Sequence, residues 1–243
     1  TGTSANETFT GGPEMDIIVG AGGAETLSGG GGDDFIFSAT APPSSTFSSW
    51  PGVYKSFLDT GSEVDVLSGG DGWDRIFAGY GDFVDGGTST SPNSLVADYL
   101  YVSFQGASSG VSFDFRLSTQ TIGGGVITNM ESLSYVQGSR FADNINAGGQ
   151  TGISSDFTLL EGMEGDDTVT AGYYTGLIYG GEGNDVLDGR PSQYLSSIEG
   201  GDGNDTIYAR TSGSATALGG AGDDTISGGG LIHGGLGNDR ILI

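Results

Sequence analysis

Single apolar residues recur every nine positions along much of the chain, and each follows a run of glycine and acidic residues. At the amino end these apolar residues are Phe9, Ile18, Leu27 and Ile36. Each lies in a segment of pattern x-apolar-x, which is typical of a short strand with one inward side chain. The six residues between these segments are rich in glycine and polar side chains, and they predict turns. The spacing therefore predicts many short strands joined by tight turns.

The period is clearest in segments that read Gly-Gly-x-Gly-x-Asp-x-apolar-x. Six in-phase copies in one chain are very improbable by chance, and a fixed period indicates a solenoid. The segment GMEGDDTVT at 162–170 is a close variant. The six copies occupy 29–37, 69–77, 180–188, 200–208, 219–227 and 234–242.

Two turns and two strands make one coil of about 18 residues, so successive turns fall on opposite edges of a flattened solenoid. In the carboxyl half clean segments alternate with degenerate ones, which predicts that all acidic turns there share one edge. The sixth positions of these turns are Asp143, Asp167, Asp185, Asp205, Asp224 and Asp239.

The amino-terminal half carries a similar but interrupted series. Its first sixth positions are Glu7, Asp16, Glu25 and Asp34. Residues 38–59 break the period, and the sequence leaves open whether Asp65 or Asp74 follows Asp34 on its edge.

Composition and charge exclude several classes of function. The 243 residues include 49 Gly, no Cys, 31 acidic and 7 basic residues, for a net charge of -24. Seven scattered cations cannot form the basic surface that nucleic-acid binding requires. No apolar run approaches the ~18–20 residues of a membrane-spanning helix, so no membrane insertion is expected. Motifs for metalloprotease, serine hydrolase or nucleotide chemistry are absent from the sequence, which favours a non-enzymatic protein.

The acidic ladder requires a counter-charge. Neighbouring coils lie ~4.8 Å apart, and two carboxylates at that distance repel by roughly 3.5 kcal/mol at an effective dielectric constant of ~20. Calcium accepts six to eight oxygen ligands, including carboxylates and backbone carbonyls, in flexible geometry. Magnesium demands a tighter octahedron, and zinc prefers His or Cys, of which the chain offers only His233. The pattern therefore predicts calcium between successive coils.

These segments closely resemble the RTX, or hemolysin-type, calcium-binding repeats of secreted bacterial proteins. The resemblance covers about 1–37, 60–87 and 138–243. It implies an all-β, right-handed parallel β-roll that binds several calcium ions, about four to six here. It also implies export by type I secretion and a location outside the cell or on its surface, where an adhesin, a surface layer or a neighbouring enzyme domain uses the module.

The resemblance further implies that each ion lies between same-edge turns of two coils. The first turn gives the carbonyls of positions two and four, the next turn gives those of positions one and three, and both give the sixth-position carboxylate. The four sets implied in the carboxyl half are Met163, Gly165, Asp167, Gly180, Glu182 and Asp185; Gly181, Gly183, Asp185, Gly200, Asp202 and Asp205; Gly201, Gly203, Asp205, Gly219, Ala221 and Asp224; and Gly220, Gly222, Asp224, Gly234, Leu236 and Asp239.

Two weaker sets and one single residue complete the candidates. One set pairs Ser139, Phe141 and Asp143 with Gly162, Glu164 and Asp167, and the other pairs Gly12, Glu14 and Asp16 with Gly29, Gly31 and Asp34; Asp74 is the further single candidate.

Three domains are expected from the repeat pattern. Residues 1–87 form amino-terminal repeats with a loop insertion at 38–59, residues 88–137 form a connector of longer strands, and residues 138–243 form the carboxyl-terminal β-roll.

Other binding functions remain open in the sequence. Aromatic residues of 38–59 can stack on sugar rings or fold over the roll as a lid. Arg190 and Arg210, near Tyr173, Tyr174 and Tyr194, can bind an acidic polysaccharide or act only as solvated charges. Self-association through the solenoid ends is a third possibility. A polysaccharide-binding or polysaccharide-processing accessory module is therefore the alternative function.

Overall fold

A computed structural model describes residues 1–39, 57–88, 97–150, 157–211 and 215–243. These residues form strands and turns without any α-helix, so none of them belongs to a helix able to cross a membrane. Most of the predicted loop insertion, including Phe47, Trp50 and Tyr54, lies outside the described residues.

The strands are short, most of them between three and six residues. In chain order they are β1 (Thr8–Thr10), β2 (Ile17–Val19), β3 (Thr26–Gly31), β4 (Phe35–Phe37), β5 (Val66–Asp71), β6 (Arg75–Ala78), β7 (Phe83–Thr88), β8 (Tyr99–Ser103), β9 (Ser112–Asp114), β10 (Thr119–Ile122), β11 (Gly125–Thr128), β12 (Ser132–Gln137), β13 (Asn144–Asn146), β14 (Thr158–Glu164), β15 (Thr168–Thr170), β16 (Thr175–Glu182), β17 (Val186–Asp188), β18 (Ser197–Asp202), β19 (Thr206–Tyr208), β20 (Thr216–Ala221), β21 (Thr225–Ser227), β22 (Leu231–Leu236) and β23 (Arg240–Leu242).

The described residues divide into two compact units. The first contains residues from 1–107 and 117–135, and the second contains residues from 108–116, 136–150 and 157–243. The strands of the first unit lie in two sheets, and neighbouring strands pair in parallel. The order in one sheet is β1, β3, β5, β7 and β11. The order in the other is β2, β4, β6 and β8. The strand β10 pairs antiparallel with β11, which the repeat pattern did not predict.

The second unit also alternates strands between two parallel sets. In the first set, each strand pairs in parallel with the next in the order β14, β16, β18, β20 and β22. In the second set, the order is β9, β13, β15, β17, β19, β21 and β23. From β13 onward, consecutive strands therefore belong to different sheets. From β15 onward, each strand pairs with the strand two places before it in the chain. This is the parallel β-roll that the nine-residue period predicts.

The apolar eighth position of each repeat forms the core of the second unit. Its residues lie in register on successive strands and are fully buried, and each contributes roughly 1.5–3 kcal/mol through removal from water. The members are Ile145, Val169, Leu187, Ile207 and Ile226. On the last strand, Ile241 continues the row but is 44% exposed, because no further described coil covers it.

Aromatic stacking supplements the eighth-position apolar residues in the core of the first unit. Leu27, Leu67, Ile36 and Ile76 are buried at eighth positions. One residue further along the chain, the ring of Phe77 stacks on Phe37 and on Tyr101, with centroid distances of 4.2 and 4.3 Å. Aromatic pairs of this kind are worth about 0.5–1.5 kcal/mol beyond the area they bury.

The turns are shorter than the sequence predicts. The first three positions of a repeat belong to the end of the preceding strand, as Gly200, Gly201 and Asp202 do in β18. The pairs Gly181 with Gly201 and Gly201 with Gly220 are in parallel register, so these positions satisfy backbone groups within the sheet. Only the fourth to sixth positions reverse the chain.

Glycine is required where adjacent coils touch through their backbones. Gly70 has φ of 112°, and a Cβ placed there would lie 2.1 Å from the carbonyl oxygen of Gly30 on the preceding coil. Gly31 differs, since the nearest atom to its added Cβ lies 3.6 Å away and its partner on the next coil is Asp71. The second position of the repeat therefore demands glycine, and the third does not.

We expect Gly70→Ala to destabilise the calcium-loaded protein by at least about 1–2 kcal/mol, the usual penalty of a left-handed backbone for a residue with a Cβ, with the clash adding to it. Gly31→Ala is the matched control and should remain close to wild type. Urea midpoints in excess calcium measure both, and equal midpoints for the two variants would contradict the steric argument.

Candidate metal centre

The sixth-position aspartates of the second unit form one continuous ladder. Each lies directly before a strand of the sheet from β13 to β23, and its backbone N–H donates to Oδ1 of the aspartate on the next coil. The distances are 2.7 Å for Asp143 to Asp167, 2.8 Å for Asp167 to Asp185, 2.8 Å for Asp185 to Asp205, 2.8 Å for Asp205 to Asp224 and 3.1 Å for Asp224 to Asp239.

The second carboxylate oxygen of the central ladder residues has no partner. Oδ2 is buried and accepts no hydrogen bond in Asp167, Asp185, Asp205 and Asp224. A buried polar atom left unsatisfied costs about 1–3 kcal/mol, and more when it is charged. Four such atoms in a row require either bound protons or a cation to balance them.

Glycine at the first position lets each unpartnered oxygen lie close against the backbone, where a side chain would clash with it. A Cβ on Gly180 would lie 2.2 Å from Asp185 Oδ2 and 2.5 Å from the carbonyl oxygen of Gly200. The same arrangement repeats one coil further, where a Cβ on Gly200 would meet Asp205 Oδ2 at 2.0 Å and the Gly219 oxygen at 2.5 Å. A carboxylate oxygen and a carbonyl oxygen of the next coil thus lie near the same glycine. An all-oxygen set of this kind fits calcium.

Carbonyls of the second and fourth positions face the next coil. A Cβ on Gly181 would lie 1.8 Å from the Met163 oxygen, and one on Gly183 would lie 2.2 Å from the Gly165 oxygen. The residues proposed from the sequence for one site therefore come from two turns that are in direct contact. The same relation holds for the pairs Gly201 with Gly181, Gly203 with Gly183, Gly220 with Gly201 and Gly222 with Gly203.

The weaker candidate sets have a different hydrogen-bonding pattern. Asp143 Oδ2 accepts the N–H of Ser139 at 2.6 Å, and Asp16 Oδ2 accepts the N–H of Gly12 at 2.7 Å. Each of these carboxylates thus already has a backbone donor on the oxygen that is unpartnered elsewhere. At the other end of the series, Leu236 is 75% exposed on the last described coil.

The first unit contains two carboxylate ladders. One runs from Asp16 through Asp34, Asp74 and Asp98 to Glu131, with N–H to carboxylate distances of 2.8, 2.8, 2.9 and 2.9 Å. Oδ2 is buried without a partner in Asp34 and Asp74.

The other ladder links Glu25 to Asp65 at 2.7 Å and Asp65 to Asp82 at 2.9 Å. The structure thereby answers the question that the sequence left open, since Asp74 follows Asp34 and Asp65 follows Glu25. The nine-residue pattern does not predict Asp98, Glu131 or Asp82 as ladder members. The available signal was an acidic residue two positions before a buried apolar one, as in Asp98 and Leu100.

A second polar ladder accompanies the aspartates of the second unit at the fifth position of the repeats. Here the N–H of each later residue donates to the side-chain oxygen of the earlier one, opposite to the direction in the aspartate ladder. The members are Asp166, Asn184, Asn204, Asp223 and Asn238, with distances of 2.7, 2.9, 2.7 and 2.7 Å. These bonds connect exposed turns from coil to coil. In the nine-residue pattern this fifth position is variable.

Burial and mutual repulsion favour the protonated carboxyls when no cation is present. Desolvation by burial, with the charges of Asp185, Asp143 and Asp166 adding to it, raises the pKa of Asp167 to about 8. Burial likewise raises the pKa of Asp74, Asp185 and Asp205 to about 6. Without calcium, the ladders are therefore places where the folded state retains protons.

Comparison with family models gives one finding. The model described as the RTX calcium-binding nonapeptide repeat (4 copies) matches residues 1–36, 57–82, 161–191, 196–212 and 210–230. These matches cover more than half of the chain and include most of the ladder residues described above. A comparison with curated protein sequences finds no significant match.

Calcium-free protein should lose stability as the pH rises from 5 to 8. The folded pKa values of about 8 and 6 lie above the unfolded value of 3.8, so the folded state binds more protons across this window and its advantage disappears as the pH passes the folded pKa. The folded fraction of the protein in EDTA, measured by circular dichroism, should therefore be greater at pH 5 than at pH 8. In excess calcium the order should reverse, because protons compete with the ion.

Asp167→Asn provides the control for general charge repulsion. The substitution removes the carboxyl with the highest of these pKa values. It should therefore weaken the dependence of stability on pH in EDTA. A folded fraction of the wild type in EDTA that rises with pH would contradict the electrostatic description of the ladder.

Proposed function

Because the chain belongs to the RTX calcium-binding nonapeptide repeat family, we propose that it is a non-enzymatic calcium-binding module of a secreted or cell-surface bacterial protein. Calcium completes its β-roll outside the cell. The observation that carries this proposal is the row of buried Oδ2 atoms without a partner. A divalent cation beside each of them removes the desolvation cost and converts the repulsion between coils into attraction.

Each ion is assigned to the interface of two successive coils. The sixth-position carboxylates provide the charge, and the glycine-rich turns provide carbonyl oxygens from both coils. In the second unit the central ligands are Asp167, Asp185, Asp205 and Asp224, and each of them serves the ion before it and the ion after it. In the first unit, Asp34 and Asp74 have the same environment and the same role.

Calcium acts as a folding switch in this proposal. The unfolded chain has a net charge of -24 and no preformed site, so the free energy of binding becomes free energy of folding. At a calcium concentration 100 times the dissociation constant, one site adds about 2.7 kcal/mol to stability. Low cytoplasmic calcium keeps the chain unfolded for type I export, and millimolar extracellular calcium folds it.

The folded roll then serves as a rigid element of a larger surface structure. Calcium at each coil interface turns a stack of weak short strands into a stiff spacer. Adhesion, assembly of a surface layer and support of a neighbouring catalytic domain all use such a spacer, and we propose this class of role for the module.

We expect Asp205→Asn to raise the calcium midpoint for folding by at least tenfold, which corresponds to about 1.4 kcal/mol, because one carboxylate serves two sites. Circular dichroism during calcium titration measures this. Asp202→Asn is the matched control, since it makes the same charge change on an exposed side chain in the same turn. A wild-type spectrum that does not respond to calcium or EDTA would refute the proposed function.

An exposed aromatic cluster favours polysaccharide binding as a second function. Phe157, Tyr173 and Tyr194 are about half exposed, and the rings of Tyr174 and Tyr194 stack with centroids 5.6 Å apart. Tyr173 packs edge-on against both of these tyrosines, at 4.9 and 5.9 Å. Rings exposed in this way offer stacking faces for sugars.

The neighbouring arginine is less available than the sequence suggests. Arg190 donates to Asp188 from Nε at 2.8 Å and from Nη2 at 2.7 Å, and it lies over the ring of Tyr208. Its charge is therefore already balanced by Asp188. Together with the net charge of -24, this favours a neutral polysaccharide over an acidic one.

We expect Tyr194→Ala to weaken binding of a neutral polysaccharide about tenfold, because Tyr194 contacts the other three rings. Affinity electrophoresis against neutral and alginate-like polymers measures this in calcium. Phe83→Ala, an exposed aromatic residue of the first unit, is the control. Migration of the wild type unaffected by any of the polymers would reject this second function.

A further inference from the structure

One arginine of the first unit lies among aromatic rings instead of beside a carboxylate. Arg75 begins strand β6, and its partners in register are Phe35 of β4 and Tyr99 of β8. Its Cζ lies 5.0 Å from the centre of the Phe35 ring, 5.3 Å from that of Tyr99 and 5.8 Å from that of Trp73. Cations within about 6 Å of a ring centre are attracted to it, so the rings hold the guanidinium in place. These four side chains form the Arg75 cluster.

The guanidinium of Arg75 is not engaged by the protein. Arg116 and Arg190 each form an ion pair with the aspartate two residues earlier in the chain. Arg75 has no such pair, and its side chain makes no hydrogen bond to any residue that the structure describes. A guanidinium carries five N–H donors in a planar fork that fits an anionic oxygen group. The Arg75 side chain is half-buried, so these donors are open to a ligand from solution.

Two further polar groups of the cluster are buried without a partner. Within the described ranges, neither Trp73 Nε1 nor the Tyr99 hydroxyl forms a hydrogen bond. Tyr99 is 0% exposed, and its ring centre lies 6.0 Å from that of Trp73. Buried tyrosine and tryptophan side chains usually have a hydrogen-bond partner, because leaving one unsatisfied is unfavourable. Two unsatisfied donors next to an unpaired guanidinium indicate a ligand that supplies acceptors.

The Arg75 cluster lies on the face of its sheet that points away from the core. Ile36, Ile76 and Leu100 are fully buried core residues on the same three strands. Side chains alternate between the two faces of a strand, so the residue directly before each of these points outwards. Phe35 and Trp73 are half-buried, and a ligand can therefore reach their rings as well as the guanidinium.

The chemistry of the cluster selects an acidic sugar as its ligand. A carboxylate accepts two parallel hydrogen bonds from an arginine, and its remaining lone pairs can accept bonds from neighbouring N–H and O–H groups. Half-exposed aromatic rings offer stacking faces for a sugar ring. The net charge of -24 repels a polyanion, so a glycan with a single acidic residue is favoured over an acidic polymer.

We propose that the Arg75 cluster binds an acidic sugar residue of a glycan. Arg75 pairs with the carboxylate, and Trp73 Nε1 and the Tyr99 hydroxyl donate to oxygen atoms of the sugar. The rings of Phe35 and Trp73 contact its apolar face. The unpaired cation distinguishes this site from the tyrosine cluster of the second unit. The proposal goes beyond calcium binding and depends on it only because calcium keeps the roll folded.

Isothermal titration of the full chain in excess calcium tests this site, with methyl glucuronide as the probe and methyl glucoside as its neutral counterpart. The glucuronide should bind at least tenfold more tightly than the glucoside, and Arg75→Gln should remove most of this difference. Arg116→Gln is the matched control, because it removes the same charge from an arginine that already has a carboxylate partner. Equal affinities for the two sugars, or an unchanged affinity in folded Arg75→Gln, would overturn the proposal.

A second measurement reports on the indole directly. The Nε1–H signal of Trp73 in nitrogen–proton correlation spectra, assigned by its loss in Trp73→Phe, should move to lower field when the glucuronide is added, since a hydrogen bond forms there. Binding that leaves this signal unmoved would place the sugar elsewhere and overturn the proposal. Calcium-dependent folding without any binding of the glucuronide would also overturn it and leave the proposed function intact.

Discussion

The stacking of like-charged carboxylates at the spacing of one coil constrains this molecule more than any other interaction. Each ladder aspartate donates its N–H to the carboxylate of the next coil, so the backbone holds the charges in line. One oxygen of each central group is satisfied by this bond, and the other is buried without a partner. The coils cannot separate to relieve the repulsion without breaking the parallel sheets, so either bound protons or a cation must balance it.

Glycine makes this arrangement sterically possible. First-position glycines let the unpartnered oxygens lie close against the backbone, and second-position glycines such as Gly201 let the backbones of adjacent coils touch. The same residues that permit close packing thus expose the carbonyl oxygens that a calcium ion needs. Because stability and ion binding depend on one set of atoms, we expect the module to fold and to bind calcium in a single event.

The two units use this constraint differently. In the first unit, acidic residues precede strands of both sheets, and two ladders result. In the second unit, the segments between the clean repeats have lost their acidic residue, and aromatic side chains such as Tyr173 and Tyr194 occur there instead. We propose one edge of that unit for calcium and the other, with its aromatic side chains, for polysaccharide.

Local spacing determined the repeat, the parallel β-roll, the inward row from Ile145 to Ile226 and the order of the aspartates from Asp143 to Asp239, because each depends only on position within a nine-residue unit. Tertiary structure alone decided that Asp74 follows Asp34, that Asp98 and Glu131 extend this ladder, and that β10 pairs antiparallel with β11. It alone brought the rings of Trp73 and Tyr99 beside Arg75. An interruption removes the phase that links neighbouring coils, and which strand then returns beside which is decided by packing.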